Sequence, residues 1–100
     1  MRVTYDVKLC VLVRAMRNAM GLNQGELALA AGCSRPTINR IERLDKASPR
    51  SNTIDDIFHI FRAMGIQIQI CDEDVSIKFS KRSLLEAEEK IKRGGTNDAS

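Results

Sequence analysis

Between Gln24 and Glu42 two short helical patterns meet at Ala31-Gly32, and the small residues at that joint restrict the chain to helices that cross closely and steeply. Gly32 supplies the corner, and Ala28 and Ala31 let the two backbones approach. Bulky side chains there would pry the pair apart. Asn23, with Glu26 three residues later, has the capping-box spacing for a helix running to Ala31. Ser34 is placed to cap the next helix, and Pro36 is tolerated in its first turn, where no intrahelical N–H bond is lost. Ile38 and Ile41 then point inward and leave Arg35, Asn39, Arg40 and Arg43 facing out.

The flanking segments supply the rest of a small core. From Val7 to Met20 the residues Leu9, Leu12, Val13, Met16 and Met20 recur at intervals of three and four, as one face of a helix requires. Gly21 is suited to ending that helix in the left-handed region, with Leu22 tucked back against it. Leu44 to Asn52 is polar, contains Pro49 and reads as a loop. Thr53 is expected to open a fourth helix with Asp56 at the capping-box position, and Gly65 to stop it. Its apolar face, Ile54, Ile57, Phe58, Ile60, Phe61 and Met64, is wider than one small bundle needs. The excess packs either on a second subunit or on the segment that follows.

At Ile66 the period changes from about 3.6 to two. Ile66, Ile68 and Ile70 alternate with Gln67 and Gln69, Asp72-Glu73-Asp74 offers a turn, and Val75, Ile77 and Phe79 continue the alternation. Either the two strands pair as a hairpin, or one or both pair with their copies in a second chain. A lone two-stranded ribbon is marginal in water, so it must dock on the helices or across a dimer. Ser83, followed by Glu86, is expected to start a short charged helix, and GGTNDAS has the composition of a disordered tail. The expected organisation is an N-terminal segment over residues 1–6, arm or edge strand, and a helical domain over 7–65. A β segment over 66–79, a charged helix over 80–93 and a tail over 94–100 follow. The fold class is mainly α.

One hundred residues make a single small domain whose core is marginal without an oligomer interface, so a homodimer is expected. Sixteen Lys and Arg against thirteen Asp and Glu give +3, which suits phosphate binding but is common among soluble proteins. No apolar run approaches the roughly 20 residues that cross a bilayer, and MRVTYDVK lacks the apolar stretch of a signal peptide, so a cytoplasmic protein is expected. Cys10, Cys33 and Cys71 are odd in number, widely spaced and without a Cys-x-x-Cys pair, which indicates neither a disulfide framework nor a zinc site. His59 is the only histidine, and no nucleophile–base arrangement, phosphate loop or metal-ligand spacing can be assembled around it. Neither an enzyme nor a cofactor is expected.

The stretch LNQGELALAAGCSRPTINRIERL resembles the DNA-binding core of the phage repressor and Cro family, the XRE-type helix-turn-helix, and the resemblance runs from about Leu9 to Gly65. It implies a lambda-repressor-like bundle whose third helix enters the major groove of double-stranded DNA. By that resemblance Arg35, Pro36 and Arg40 fall where relatives read base edges, and Thr37 lies on the same short polar face. An arginine there can fork onto O6 and N7 of guanine, whereas Pro36 offers only apolar contact or a rigid helix start. Gln24 matches the family's phosphate-holding glutamine. Ser34, Asn39, Arg43 and the loop residues Lys46, Ser48, Arg50 and Ser51 are further phosphate candidates, setting register and affinity. Arg17 and Glu42 match a structural ion pair joining the first helix to the end of the third. One departure is Leu44, where relatives commonly place glycine two residues past that glutamate.

MGIQIQIC further resembles the stretch of the HipB antitoxins in which strands of two subunits pair, which implies dimerisation through Phe58, Phe61, Ile66, Ile68 and Ile70. Two functions are then open. The first is an autorepressing antitoxin of a type II toxin–antitoxin pair, with a HipA-like kinase toxin as partner. The alternative is a stand-alone prophage or operon repressor with no protein partner. Both imply a homodimer on a palindromic operator with half-sites about one helical turn apart.

Overall fold

The structure, a computed structural model, describes residues 2–45 and 50–94. Lys46, Ser48 and Pro49 lie outside the described residues, as does the tail from residue 95. Helix α1 spans Tyr5–Ala19, α2 Gln24–Ala31, α3 Arg35–Glu42 and α4 Ser51–Ala63. Strands β1 (Ile66–Ile70) and β2 (Val75–Phe79) and helix α5 (Lys81–Lys92) complete the chain, a mainly helical fold carrying one β-hairpin.

The ends of the first three helices follow the capping chemistry of the sequence. Asn23 and Glu26 form the reciprocal capping box of α2, at 2.7 and 2.9 Å. The Ser34 side chain accepts from the Thr37 N–H at 3.3 Å to open α3. Gly21 and Gly32 both sit at φ +70, and after Gly21 the Leu22 N–H returns to the Arg17 carbonyl at 3.1 Å. Helix α1 starts at Tyr5, capped by the Thr4 hydroxyl, so the segment preceding it ends at Thr4 instead of residue 6.

Two helix starts differ from the capping-box expectation. Helix α4 opens at Ser51 after Arg50, with no side-chain cap bond, and not at Thr53 with Asp56. The backbone N–H groups of Thr53 and Ile54 bond to the Arg50 carbonyl at 3.0 and 3.2 Å. Placing Ile54 in the core, at 4% exposure, requires a helical backbone around it, and burial outweighs the cap. Helix α5 likewise begins at Lys81 with Ser80 as N-cap. Ser83 lies inside it, fully buried, with its hydroxyl donating to the Ser80 carbonyl at 2.9 Å.

The core gathers Leu12, Val13 and Met16 from α1, Leu27 from α2, Ile38 from α3, and Ile57 and Phe61 from α4, all at zero exposure. The strands pair antiparallel within the chain, with Ile66 opposite Phe79, Ile68 opposite Ile77 and Ile70 opposite Val75. Pairing in this register places all six apolar side chains on one face, which docks mainly on α4 through β1. That docking resolves the excess width of the α4 stripe. Phe58, Phe61 and Ile66 are 5%, 0% and 1% exposed within one chain, so they offer no surface to a second subunit. The Arg62 guanidinium also covers Phe58, 5.6 Å from its ring centroid. Ile68 and Ile70 remain half-buried.

Candidate nucleic-acid interface

Helix α3 turns about 100° per residue, which divides its side chains into two arcs. Ile38, Ile41 and Glu42 are buried, while Arg35, Pro36, Arg40 and Arg43 are exposed and Asn39 is half-buried among them. Thr37 lies at the edge between the arcs, half-buried, with its hydroxyl 2.9 Å from that of Ser34. The outward arc therefore carries three guanidinium groups. The one carboxylate of α3 points the other way.

That carboxylate is where the arrangement becomes specific. Arg17 of α1 grips Glu42 with two parallel bonds, Nε to Oε2 at 2.6 Å and Nη2 to Oε1 at 2.9 Å. The remaining Arg17 nitrogen donates to the Leu22 carbonyl at 2.9 Å. The two side chains are 8% and 6% exposed, so the negative charge of Glu42 is neutralised inside the bundle. The outer face of α3 keeps its positive potential, while the first and third helices are tied together.

From Glu42 the polar contacts run outward. Gln24 Nε2 donates to Glu42 Oε1 at 3.3 Å, Asn39 Nδ2 donates to Gln24 Oε1 at 3.2 Å, and Arg43 Nη1 donates to Asn39 Oδ1 at 3.2 Å. Gln24 is only 6% exposed and both ends of its amide are engaged. The structure thus places it beneath the α3 face, holding Asn39, and leaves little of it for direct contact with a phosphate. Among the described residues no buried side-chain nitrogen or oxygen lacks a partner. One further tie has no counterpart in the sequence pattern: the Cys10 thiol donates to the Glu42 carbonyl at 3.4 Å, fixing the end of α3 to α1. A buried thiol beside a helix end carries no spacing signature.

Arg50 and Ser51 are exposed at the start of α4. Leu44 adopts φ +56, the one non-glycine residue at positive φ among the described residues. It takes the left-handed backbone that glycine would adopt there without strain.

A family model described as Helix-turn-helix matches residues 13–63, slightly over half of the chain. The chain belongs to this helix-turn-helix family. The match covers helix α3, the corner at Gly32 and the ion pair that anchors them, and it makes the protein a DNA-binding transcriptional regulator. No curated protein and no solved structure gives a significant match. Among the described residues no helix is long and apolar enough to cross a membrane, and no group of His, Cys, Asp and Glu could hold a metal ion.

Proposed function

We propose that the protein is a sequence-specific repressor that binds a palindromic double-stranded operator as a homodimer. The observation that carries this reading is the outward arc of α3, three guanidinium groups with the single carboxylate of the helix turned inward and neutralised. Arg35 and Arg40 read base edges, with Pro36 and Thr37 beside them. Ser34, Asn39, Arg43, Arg50 and Ser51 hold phosphates, joined by Lys46 and Ser48 of the loop, and Gln24 positions Asn39. Selection from random double-stranded oligonucleotides is the test. The expected product is a two-fold motif with guanines in both half-sites, spaced by about 10 base pairs. Recovery of no enriched motif would overturn the reading.

The regulated gene belongs to one of two settings. The resemblance of MGIQIQIC to the antitoxin strand favours an autorepressing antitoxin held with a HipA-like kinase toxin. Purification of the tagged chain from its native cells separates the settings. A stoichiometric kinase-like protein recovered with the chain's own promoter supports the antitoxin; operator DNA without a protein partner supports the stand-alone repressor.

A further inference from the structure

Helix α5 is amphipathic on two sides. Its inner face, Ser83, Ala87 and Lys90, is buried or half-buried, with Ala87 packed against the core. Leu85, 54% exposed, lies opposite that face and Leu84, 56% exposed, on its flank, while Ile91, 66% exposed, sits nearer the Ala87 side. Lys81, Leu84, Leu85 and Glu88 line a shallow groove there, and their spacing puts them within about 100° of arc on one helix face. Two large apolar side chains, Leu84 and Leu85, are thus held open side by side on this face of a twelve-residue helix.

We propose that a second copy of the chain covers this face, with the two α5 helices antiparallel about a two-fold axis passing between Leu84 and Leu85. The proposal rests on the homodimer reading above and deepens it by naming the surface. The pattern of side chains is self-complementary in that register. A two-fold contact brings residue i of one copy against residue j of the other and j against i. With the axis between Leu84 and Leu85, Leu84 packs against Leu84 of the partner subunit along one edge and Leu85 against Leu85 of the partner subunit along the other, and Lys81 meets Glu88 of the partner subunit, twice over.

Charge selects this arrangement over the alternatives. A parallel pair would set Glu88 against Glu88 and Lys81 against Lys81, and would also align the two helix dipoles unfavourably. Glu88 already lies 3.4 Å from Lys92 within its own helix, but the two side chains are 56% and 74% exposed, so the carboxylate stays open to a second cation. Outside the described residues the sequence holds only Met1 among large apolar types, so those segments supply no apolar cover. A short helix pair buries less than the roughly 800 Å² per partner of a standard interface, which puts the dimer at the weak, micromolar end.

Sedimentation velocity on the purified full chain without DNA, from about 1 to several hundred micromolar, is the test. A concentration-dependent monomer–dimer equilibrium is expected. Leu84→Glu or Leu85→Glu should shift it to monomer, while Leu29→Glu, at an 84% exposed leucine on α2, should leave it unchanged. Lys81→Glu and Glu88→Lys should each weaken association about tenfold, and the double variant should restore it. Circular dichroism checks that each variant is folded. A wild-type monomer throughout, a dimer indifferent to Leu84 and Leu85, or charge variants whose combination fails to restore association would each overturn the proposal. An α5 face that binds a different protein while the chain stays monomeric overturns it too. Because no DNA is present, failure of the operator reading leaves this result standing.

Discussion

Replacing Glu42 by alanine should be among the most damaging single changes in this protein, and its size follows from burial. The carboxylate accepts from two nitrogens of Arg17 and from Gln24, at 2.6, 2.9 and 3.3 Å, at 6% side-chain exposure. Without it the guanidinium of Arg17 is buried with one bond, to the Leu22 carbonyl, and an uncompensated buried charge of this kind costs about 3–5 kcal/mol. A domain of 100 residues has only about 5–15 kcal/mol in all. The melting temperature should therefore fall by at least about 12 °C, at roughly 4 °C per kcal/mol for a domain of this size. Urea unfolding at constant m reads the loss directly. The double variant Arg17→Met, Glu42→Leu removes both charges and leaves Gln24 and the Leu22 carbonyl short of a partner, so it should cost about 1–3 kcal/mol, well below the sum of the singles. Single variants that each lose less than about 1 kcal/mol, or a double variant that loses their sum, would refute the argument that the pair acts as one neutralised unit.

Arg40→Ala should cost about 1–3 kcal/mol on the selected operator and relax its choice at one position, whereas Arg43→Ala should weaken all DNA alike; fluorescence anisotropy on matched and mutated duplexes separates the two. Leu44→Gly should stabilise the fold by about 0.5–1 kcal/mol in urea, because it relieves a φ of +56 that costs a side chain about 1–2 kcal/mol while giving back part of that in chain entropy. Gly65→Ala should destabilise more than Gly32→Ala: both sit at positive φ, but a Cβ at Gly65 also collides with the Ser80 hydroxyl that caps α5, while at Gly32 it meets open space. The exposed Cys71 thiol is held above its ordinary pKa, chiefly by its hydrogen bond to Asp74, with Lys8 opposing. Since the thiolate is the nucleophile, iodoacetamide should label it slowly at pH 8, and Asp74→Asn should raise the rate severalfold.

The helical core was legible because its signals are local. Asn23, Glu26, Ser34 and Gly32 act on backbone groups within a few residues, so spacing alone identifies them, and all four do what their positions imply. The alternation at Ile66, Ile68 and Ile70 gave the strand for the same reason, and the intrachain hairpin settles which partner it takes in one chain. The starts of α4 and α5 were misplaced because Thr53 with Asp56, and Ser83 with Glu86, imitate a capping box. What decided those ends was tertiary: Ile54 had to reach the core, and Ser83 is buried on the inner face of α5. The width of the α4 stripe had the same ambiguity. A sequence cannot say whether Phe58 and Phe61 meet their own hairpin or another chain, since both covers are apolar.

On the outer side of α3, residue type and residue surroundings part company at Gln24. An amide at the start of a helix suggests a phosphate contact, but a helix wheel carries no information about what lies behind the residue in another element. Here Glu42 of α3 and Asn39 one turn before it converge on that amide from 3.3 and 3.2 Å, and both of its ends are engaged. The consequence is mechanical. Arg17 fixes Glu42, Glu42 fixes Gln24, Gln24 fixes Asn39, and Asn39 accepts from Arg43, so a contact at the outer face of α3 is braced through three helices to the core. An arginine that must choose one base edge over another needs a helix that does not rock, because bidentate bonding to guanine fails once the fork is displaced. Burying a charged pair and two amides contributes little net stability, and holding α3 at one angle to α1 and α2, as the proposed base reading requires, is the return that makes the arrangement intelligible.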